Sequence, residues 1–344
     1  MGVTIKDIAK KTGLSITTIS LVLNKRESRI PERTRQIIES AAQELNYTPN
    51  QAARSLSTKK TNVIALVVPK GSFYNLADLI SSVEGACRNA GYSLSISLPE
   101  RDGDSCLEAL QEMLRRGADG IIFDSSNIDE AFYQAYMDLL LKAETPISAL
   151  AGVGAHLFSN SVIPDHRKGG ALAASHLLEL GHTRIGLIAG PRESCTSSDL
   201  SLGIEEALEQ FHRDPGDVPR IFGLNAAASG SDGLVALIEQ GCTGVIAGSN
   251  AIALGILRRA YERGIPIPQG LSLIGYGNNP HSAEFPIPLT TVSIHYDRIA
   301  RKAVNLIKKL RSHSPAFTPE LVPPSLIIRG STAAVQPEQA VDRT

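Results

Sequence analysis

Hydrophobic residues in the first part of the chain recur at helical spacing in three short segments. The first predicted helix begins at residues 4–7, where Thr and Asp are spaced as in a capping box, and Gly13 ends it. Ser15 can cap a second helix, and Pro31 stands where the first turn of a third helix accepts proline. Two helices joined by a glycine-containing turn and supported by a third predict a helix-turn-helix unit over residues 1–47.

The second of these helices has two different faces. Ile19, Val22 and Leu23 fall at i, i+3 and i+4 and therefore share the face that packs on the rest of the unit. The opposite face carries only uncharged side chains, which are Ile16, Thr17, Ser20, Leu21 and Asn24. Aliphatic side chains on a face directed away from the core indicate a surface that contacts a partner.

Residues 48–61 connect this unit to the rest of the chain. Asn50 can cap a helix that runs to residue 57, which gives it only one to two turns. A helix of that length is not stable alone in water. We therefore predict a segment that becomes helical only when a partner holds it.

From residue 62 onwards, apolar runs alternate with helical patterns. Strands are predicted at 62–68, 93–98, 119–123, 146–150, 184–189, 220–223, 243–247 and 271–276, with helices between them. Repeated strand–helix units imply parallel sheets, and two successive series of them predict a two-lobed α/β body with a cleft over residues 62–330. Residues 331–344 are predicted to form a disordered tail.

The composition is that of a globular protein, with 344 residues of which 42% are hydrophobic and 20% charged. No apolar run approaches the roughly 20 residues that span a bilayer, and the N-terminus lacks the apolar core of a signal peptide. We therefore expect a cytoplasmic protein without a membrane partner. The four cysteines, which lack CxxC spacing and which we interpret as small buried hydrophobic residues, are Cys87, Cys106, Cys195 and Cys242.

Positive charge is concentrated near the N-terminus. Residues 1–60 contain eleven Lys and Arg against five Asp and Glu, whereas the rest of the chain contains 23 against 30. A basic head on an acidic body indicates that the head meets a polyanion, although an uneven scatter of surface charge would give the same numbers.

The sequence lacks common enzyme motifs. It contains no Walker loop, no G-x-S-x-G, no H-E-x-x-H and no G-x-G-x-x-G after the first predicted strand. The eight histidines show no metal-ligand spacing with carboxylates. We therefore expect neither an enzyme nor a protein that holds a cofactor or a metal.

Four fragments distributed along the chain are V-T-I-K-D-I-A (3–9), L-N-Y-T-P-N-x-x-A-R-S-L (45–56), H-L-L-E-L-G-H-T-R-I-G-L-I-A-G-P (176–191) and I-P-L-T-T-V (287–292). In this order and spacing they resemble bacterial transcription regulators of the lactose-repressor/galactose-repressor family. The resemblance covers nearly the whole chain. It implies an all-α helix-turn-helix head and an α/β body similar to periplasmic sugar-binding proteins, used as a dimeric sensor.

The resemblance implies that the second helix lies in the major groove of a double-stranded DNA operator, with its uncharged face toward the bases. Phosphate contacts and helix N-terminal contacts would come from Thr4, Ser15, Thr18, Arg33 and Arg35. Members of the family commonly have an arginine at the position of Leu21, and arginine binds guanine with two hydrogen bonds. Leu21 therefore predicts an operator that depends less on that guanine.

The connecting segment resembles the hinge helix of the family. There, two hinge helices of a dimer pair in the minor groove, and a leucine wedges into a base step. The matching residues are Asn50, Ala53, Arg54 and Leu56, with Leu56 as the wedge. Such a wedge unstacks bases but bends the DNA and enlarges the contact, so a homodimer on a near-palindromic operator is expected.

The resemblance also implies an effector that binds in the cleft and shifts the lobes. Family residues that hold sugar hydroxyls are replaced here, at Ala151, Leu200, Gly277 and the pairs Ser249-Asn250 and Asp165-His166. The remaining candidates are Ser72, Phe73, Tyr74, Asn225, Ser249, Asn250, Asn278 and His295. They predict an effector less like a free sugar, or one bound mainly by stacking on Phe73 and Tyr74. The alternative is a body that binds no small molecule and is controlled by a partner protein or by expression level.

Overall fold

The computed structural model describes residues 3–23, 29–47, 60–70, 73–124, 130–150, 160–311 and 319–335, apart from the side chains of 73–75, 130–133 and 140–141. It divides into two compact units, Met1–Thr61 and Asn62–Thr344. We call the first unit the head and the second unit the body.

The described residues of the head form three helices, α1 Ile5–Thr12, α2 Ile16–Leu23 and α3 Glu32–Glu44. The predicted capping box is present at the start of α1, where the amide of residue 4 donates to the carboxylate of residue 7 at 2.8 Å. Gly13 follows α1 with φ 70°, a left-handed conformation that glycine adopts without strain. The three predicted helices are therefore confirmed.

One isoleucine from each helix forms the centre of the head core. Ile8, Ile19 and Ile38 are fully buried and in one cluster. Burial of such a side chain contributes about 1.5–3 kcal/mol, so these three side chains account for much of the attraction between the helices.

The body alternates strands and helices. Its strands are β1 Val63–Val67, β2 Ser93–Ser97, β3 Gly120–Phe123, β4 Ile147–Ala149, β5 Val162–Pro164, β6 Ile185–Ala189, β7 Arg220–Phe222, β8 Gly244–Ala247, β9 Ser272–Tyr276, β10 Thr290–Ser293, β11 Glu320–Val322 and β12 Ser325–Ile327. Its helices are α4 Phe73–Asn89, α5 Gly103–Arg115, α6 Glu130–Lys142, α7 His166–Glu179, α8 Cys195–Gln210, α9 Ala227–Glu239, α10 Asn250–Glu262 and α11 Tyr296–Arg311. None of the helices in the described part of the chain is long and apolar enough to cross a membrane.

The strands form two main sheets. The first has the order β2-β1-β3-β4, and all of its pairs are parallel. The second has the order β12-β10-β9-β8-β6-β7 and is parallel except for β12, which runs antiparallel to β10. The predicted α/β body with two lobes and parallel sheets is confirmed. The short strands β5, β10, β11 and β12 are not among those that the sequence predicts.

The largest hydrophobic core of the body contains side chains from both sheets. Leu66 comes from β1, Leu187 from β6 and Ile274 from β9. Helix α11 contributes Ala303 and Ile307 to the same core. The two lobes are therefore joined by continuous packing as well as by the chain itself.

The prediction of a disordered tail from residue 331 is wrong for residues 331–335. Ser331 is fully buried, and its hydroxyl accepts a hydrogen bond from the Thr290 amide at 2.8 Å. The Val335 amide donates to the Leu180 carbonyl at 3.0 Å. Partners distant along the chain hold this segment, and its polar composition does not reveal them. Residues 336–344 lie outside the described residues.

The cysteines are free thiols, and three of the four are buried. Burial raises the pKa of Cys87, Cys106 and Cys242 to about 11. These three are therefore small core residues, as the sequence indicates, whereas Cys195 is half-buried at the start of α8.

Candidate DNA-contacting head and ligand cleft

Helix α2 presents a surface outside the head core. Ile19 and Val22 are buried in that core, and Leu23 packs against it. Ile16, on the other side of the helix, is 45% exposed. Three other residues of the predicted groove face also stay outside the core, with Thr17 exposed and Ser20 and Leu21 half-buried. The helix therefore offers a surface of hydroxyl and aliphatic groups.

Ser15 caps the N-terminus of α2, as predicted. Its Oγ accepts a hydrogen bond from the Thr18 amide at 3.1 Å and lies 2.8 Å from Thr18 Oγ1. The first turn of a helix has amides without an intrahelical acceptor, and its dipole favours an anion. These amides and the two hydroxyls could therefore bind a phosphate group.

The side chain of Thr4 is already engaged within α1. Its hydroxyl donates to Asp7 Oδ2 at 2.7 Å, and the hydrogen bonds from Thr4 lower the pKa of Asp7. A hydroxyl has one proton, so Thr4 has none left for a phosphate while this capping box is intact. On α3, Arg33 is exposed, and Arg35 lies 3.8 Å from the Glu32 carboxylate.

Several predicted contacts cannot be placed. Outside the described residues lie Asn24, Asn50, Ala53, Arg54, Leu56, Ser72 and Ala151. Phe73 and Tyr74 open helix α4, and their side chains are also not described.

The predicted cleft residues of the second lobe follow strands of the six-stranded sheet. The carboxyl ends of parallel strands meet at one edge of a sheet, where α/β proteins bind ligands. Asn225 follows β7, Asn250 follows β8, Asn278 follows β9 and His295 follows β10. The structure thus brings these four residues to the same edge.

Asn250 holds the protein's own backbone. It is almost completely buried, and its hydrogen-bond network assigns the amide so that nitrogen donates to the Tyr276 carbonyl at 3.3 Å and oxygen accepts from the Asn279 amide at 2.8 Å. The neighbouring Ser249 caps α10 by accepting from the Ile252 amide at 3.2 Å. The side chains of both residues are therefore bonded to the backbone of the body.

Asn278 and His295 also bind other residues of the body, and both have left-handed backbone conformations. Asn278 Oδ1 accepts a hydrogen bond from Arg329 at 2.9 Å. His295 Nε2 lies 2.9 Å from Ser325 Oγ, and burial lowers its pKa. Their side chains therefore fix the loops after β9 and β10.

Leu200 occupies the place where the family resemblance leads us to expect a charged residue. It is buried in the main core, in α8. The backbones of α7 and α8 are very close there, since a Cβ on Gly170 would lie 2.3 Å from the Leu200 carbonyl oxygen. Leu200 thus helps to pack two helices together.

His166, which the family resemblance names only as part of a replaced pair, belongs to a buried polar cluster. His166 Nδ1 is 2.8 Å from the Tyr276 hydroxyl, and Thr196 Oγ1 is 3.4 Å from His166 Nε2. Both rings are buried, and burial raises the pKa of Tyr276 well above its ordinary value. Gly169 leaves room for the phenol, because a Cβ there would lie 2.7 Å from the Tyr276 oxygen. A pairing across 110 residues leaves no local signal in the sequence.

The charged side chain of Arg192 lies at the same edge of the sheet. Arg192, which follows β6, places its guanidinium carbon 5.2 Å from the centre of the Phe222 ring at the end of β7. Arg192 is exposed, so its charge faces solvent while the ring supports it from one side.

Two protein-family models match the chain. The model for bacterial regulatory proteins of the lacI family matches residues 4–50. The model for the periplasmic binding protein-like domain matches residues 174–332.

Curated relatives match the chain over nearly its full length. The HTH-type transcriptional repressor PurR of Haemophilus influenzae (strain PittEE) is 30% identical over 339 residues, which covers 96% of this chain and 99% of the relative. The protein of the same name from Klebsiella pneumoniae (strain 342) is 30% identical over 328 residues, covering 93% and 95%.

Solved structures share the fold of this chain. The lac repressor dimer bound to operator and the anti-inducer ONPF has a TM-score of 0.85 and 26% identity, covering 97% of this chain and 100% of that one. The cellobiose complex of the transcriptional regulator CelR has a TM-score of 0.67 and 24% identity, covering 96% and 99%.

Proposed function

We propose that this chain, which belongs to the lacI family of bacterial regulatory proteins, is a transcriptional repressor that binds double-stranded operator DNA in the cytoplasm. The observation that carries the proposal is the division of α2 into a buried face and a face of hydroxyl and aliphatic groups outside the head core. That face suits the major groove, where hydroxyls bond to base edges and aliphatic groups pack on thymine methyls. The excess of basic residues at the N-terminus supports contact with phosphates.

The proposed DNA contacts are those that the sequence predicts. The base-facing residues are Ile16, Thr17, Ser20, Leu21 and Asn24, the phosphate-facing residues are Ser15, Thr18, Arg33 and Arg35, and the hinge contacts are Asn50, Ala53, Arg54 and Leu56. Thr4 would contact a phosphate only when its hydroxyl gives up the hydrogen bond to Asp7.

The repressor would act as a homodimer. Strand β2 is at the edge of its sheet, and Ile96 within it and Leu98 just after it are both exposed. An edge strand with exposed aliphatic side chains is a surface that proteins usually cover. A two-fold axis through two such chains would place two heads on the half-sites of a near-palindrome.

The body would bind a small molecule at the carboxyl edge of its sheets and thereby change the affinity of the head for DNA. Ser249, Asn250, Asn278 and His295 are used within the protein, so recognition would come from Asn225 and Arg192 in the second lobe and from Ser72, Phe73 and Tyr74 in the first. An exposed arginine and aromatic residues suit an aromatic or anionic ligand better than a neutral free sugar.

Selection from a random duplex pool with the full-length protein tests the DNA-binding proposal. We expect a near-palindromic sequence with a central base step that kinks easily, such as a pyrimidine–purine step. Enrichment of single, asymmetric half-sites would refute the dimeric arrangement, and the absence of any enrichment would refute sequence-specific binding.

Calorimetric titration of the full-length protein tests the ligand proposal. The titrants are free sugars, nucleosides and sugar phosphates. Saturable binding of a nucleoside or a sugar phosphate supports an aromatic or anionic effector, whereas micromolar binding of a common neutral sugar contradicts it. No binding of any of the three would favour control by a partner protein or by expression level.

A further inference from the structure

Asn62, the first residue of the body, is held at both of its backbone groups. Its amide donates to Asp119 Oδ2 at 3.1 Å, and its carbonyl accepts from the Ser93 amide at 2.8 Å. Its φ of 54° lies in the left-handed region, which residues other than glycine seldom adopt. The direction of the chain where it enters β1 is therefore set by Asp119 and Ser93.

The Asp119 carboxylate also pairs with Arg311, the last residue of α11. Arg311 Nη1 lies 2.7 Å from Asp119 Oδ2, and the same nitrogen lies 3.4 Å from the Asp119 backbone oxygen. The two side chains are only 5% and 22% exposed, so water screens this interaction far less than an ion pair on the surface. A single carboxylate oxygen thus connects the end of α11 to the first amide of the body.

Helix α11 follows a strand of the second lobe in the chain and packs on α4, β3 and β4 of the first lobe. It follows β10 of the six-stranded sheet, where His295 binds Ser325. Near its end it lies against β3 of the four-stranded sheet, where a Cβ on Gly120 would be 2.3 Å from Ile307 Cγ2. This packing leaves no gap between α11 and β3. Arg311 and Asp119 are therefore held together within the first lobe.

We propose that Asp119 and Arg311 are positioning residues that fix the course of the chain at Asn62 and thereby set the affinity of the head for operator DNA. The proposal rests on the proposed function, because it requires operator binding by the head. Hydrogen bonds weaken steeply when the angle at the hydrogen falls below about 120°. Without Arg311 the Asp119 carboxylate can turn, which changes how firmly it holds the Asn62 amide.

The competing explanation is that the pair only stabilises the body. Loss of a partner from a largely buried ion pair is destabilising in either case. The two explanations differ in what happens to a variant that is still folded. A purely stabilising pair leaves the operator affinity of the folded protein unchanged, whereas a positioning pair lowers it.

The experiment compares Arg311→Gln and Asp119→Asn with the unchanged full-length protein at a temperature where circular dichroism shows each to be folded. Binding is measured by fluorescence anisotropy on the duplex selected from the random pool and on a scrambled duplex of the same composition. We expect each variant to bind the selected duplex about tenfold more weakly, within the usual range of coupling energies, and the scrambled duplex as before. Arg311→Lys, which keeps the charge, is expected to restore most of the loss.

Arg220→Gln is the matched control. Arg220 pairs with Glu205 at 2.8 Å, and the two side chains are 20% and 36% exposed, so this change also removes a shielded arginine from a carboxylate. We expect it to leave binding of both duplexes unchanged.

Equal binding of the selected duplex by Arg311→Gln, Asp119→Asn and the unchanged protein would overturn the proposal. An equal loss of affinity for the selected duplex in Arg220→Gln, or a parallel loss of affinity for the scrambled duplex, would also overturn it. Failure of both variants to fold at 25 °C would overturn it as well, because the pair would then serve the stability of the body. If the unchanged protein selects no duplex at all, the proposed function itself fails, and that result is distinct from each of these.

Discussion

Nε2 of His182 lies 3.1 Å from the carbonyl oxygen of Ala333, 151 residues further along the chain. A carbonyl can only accept, so Nε2 carries the proton, and Nδ1 accepts from the Thr243 hydroxyl at 2.8 Å. His176 lies close by, with its Nε2 3.0 Å from Thr332 Oγ1. Two histidines therefore hold the C-terminal segment of the described body, and burial lowers the pKa of both.

The free energy of unfolding should fall as the pH drops below about 6.5. The pKa of His176 and of His182 is lowered in the folded body from 6.5, so the unfolded chain takes up these protons at a higher pH than the folded chain. Their contribution is complete above the unfolded pKa and is lost as the pH falls toward the folded pKa, at up to about 1.4 kcal/mol per pH unit for each group. Urea unfolding between pH 7.5 and 5.5 measures the slope.

His182→Gln should reduce that slope by up to about 1.4 kcal/mol per pH unit, because the unfolded chain then takes up one proton fewer. His212→Asn is the control, because His212 is exposed and its left-handed backbone at φ 56° suits asparagine. An unchanged slope in His182→Gln would show that His182 does not contribute to the pH dependence.

Tyr276→Phe should lower the free energy of unfolding by about 1–2 kcal/mol, because it removes a hydrogen-bond partner from a buried histidine without changing the shape of the core. Tyr276 binds His166 at 2.8 Å, and both are buried. Tyr261→Phe makes the same chemical change at a side chain that is 88% exposed, and its effect should stay within about 0.5 kcal/mol. Chemical denaturation of both variants decides, and equal effects would contradict the role of the His166–Tyr276 bond.

The same substitution at two isoleucines of α2 should affect two different properties, the stability of the head and its binding to DNA. Ile19→Ala empties the centre of the head core and should destabilise the head by about 2–5 kcal/mol. Ile16→Ala removes an exposed side chain, so stability should change by less than about 0.5 kcal/mol, while binding of the selected duplex weakens. Thermal unfolding and anisotropy on the same samples separate the two effects. Unchanged operator binding by Ile16→Ala would remove Ile16 from the base-facing surface.

Leu21→Arg should change which operators are selected. Arginine can bind the O6 and N7 atoms of guanine, which discriminates against other bases by about 1–3 kcal/mol, and leucine cannot. Repeating the selection with the variant should therefore enrich guanine at one position of each half-site. The control is Ile37→Arg, an equal gain of charge at an exposed position of α3 outside the α2 face. The same new guanine with both variants would show that added charge, and not position 21, is responsible.

The local elements of this protein could be predicted from the sequence because their causes are local. The capping box at Thr4, the left-handed Gly13 and the serine cap at Ser15 each depend on residues within three or four positions of each other. The predicted strands lie within a residue or two of those in the structure, since each is a short segment with aliphatic or aromatic residues that stands between helical patterns. The family resemblance is confirmed by the matching family models and by relatives that cover nearly the whole chain.

The cleft was harder to predict. The family resemblance made Asn250, Asn278 and His295 candidates for the cleft, and in the structure each follows a strand of the six-stranded sheet. A polar residue after a strand can bind a ligand or the protein's own backbone, and the sequence cannot distinguish the two. In the body, all three bind other parts of the protein.

The sequence by itself determined most of the helices and strands, which face of α2 joins the head core, and the family to which the chain belongs. Only the tertiary structure decided which polar groups pair. Asp119 meets Arg311 across 192 residues, and His182 meets Ala333 across 151. The physical reason is that periodicity and capping act over one or two turns of chain, whereas a hydrogen bond forms between any donor and acceptor that folding brings within about 3 Å.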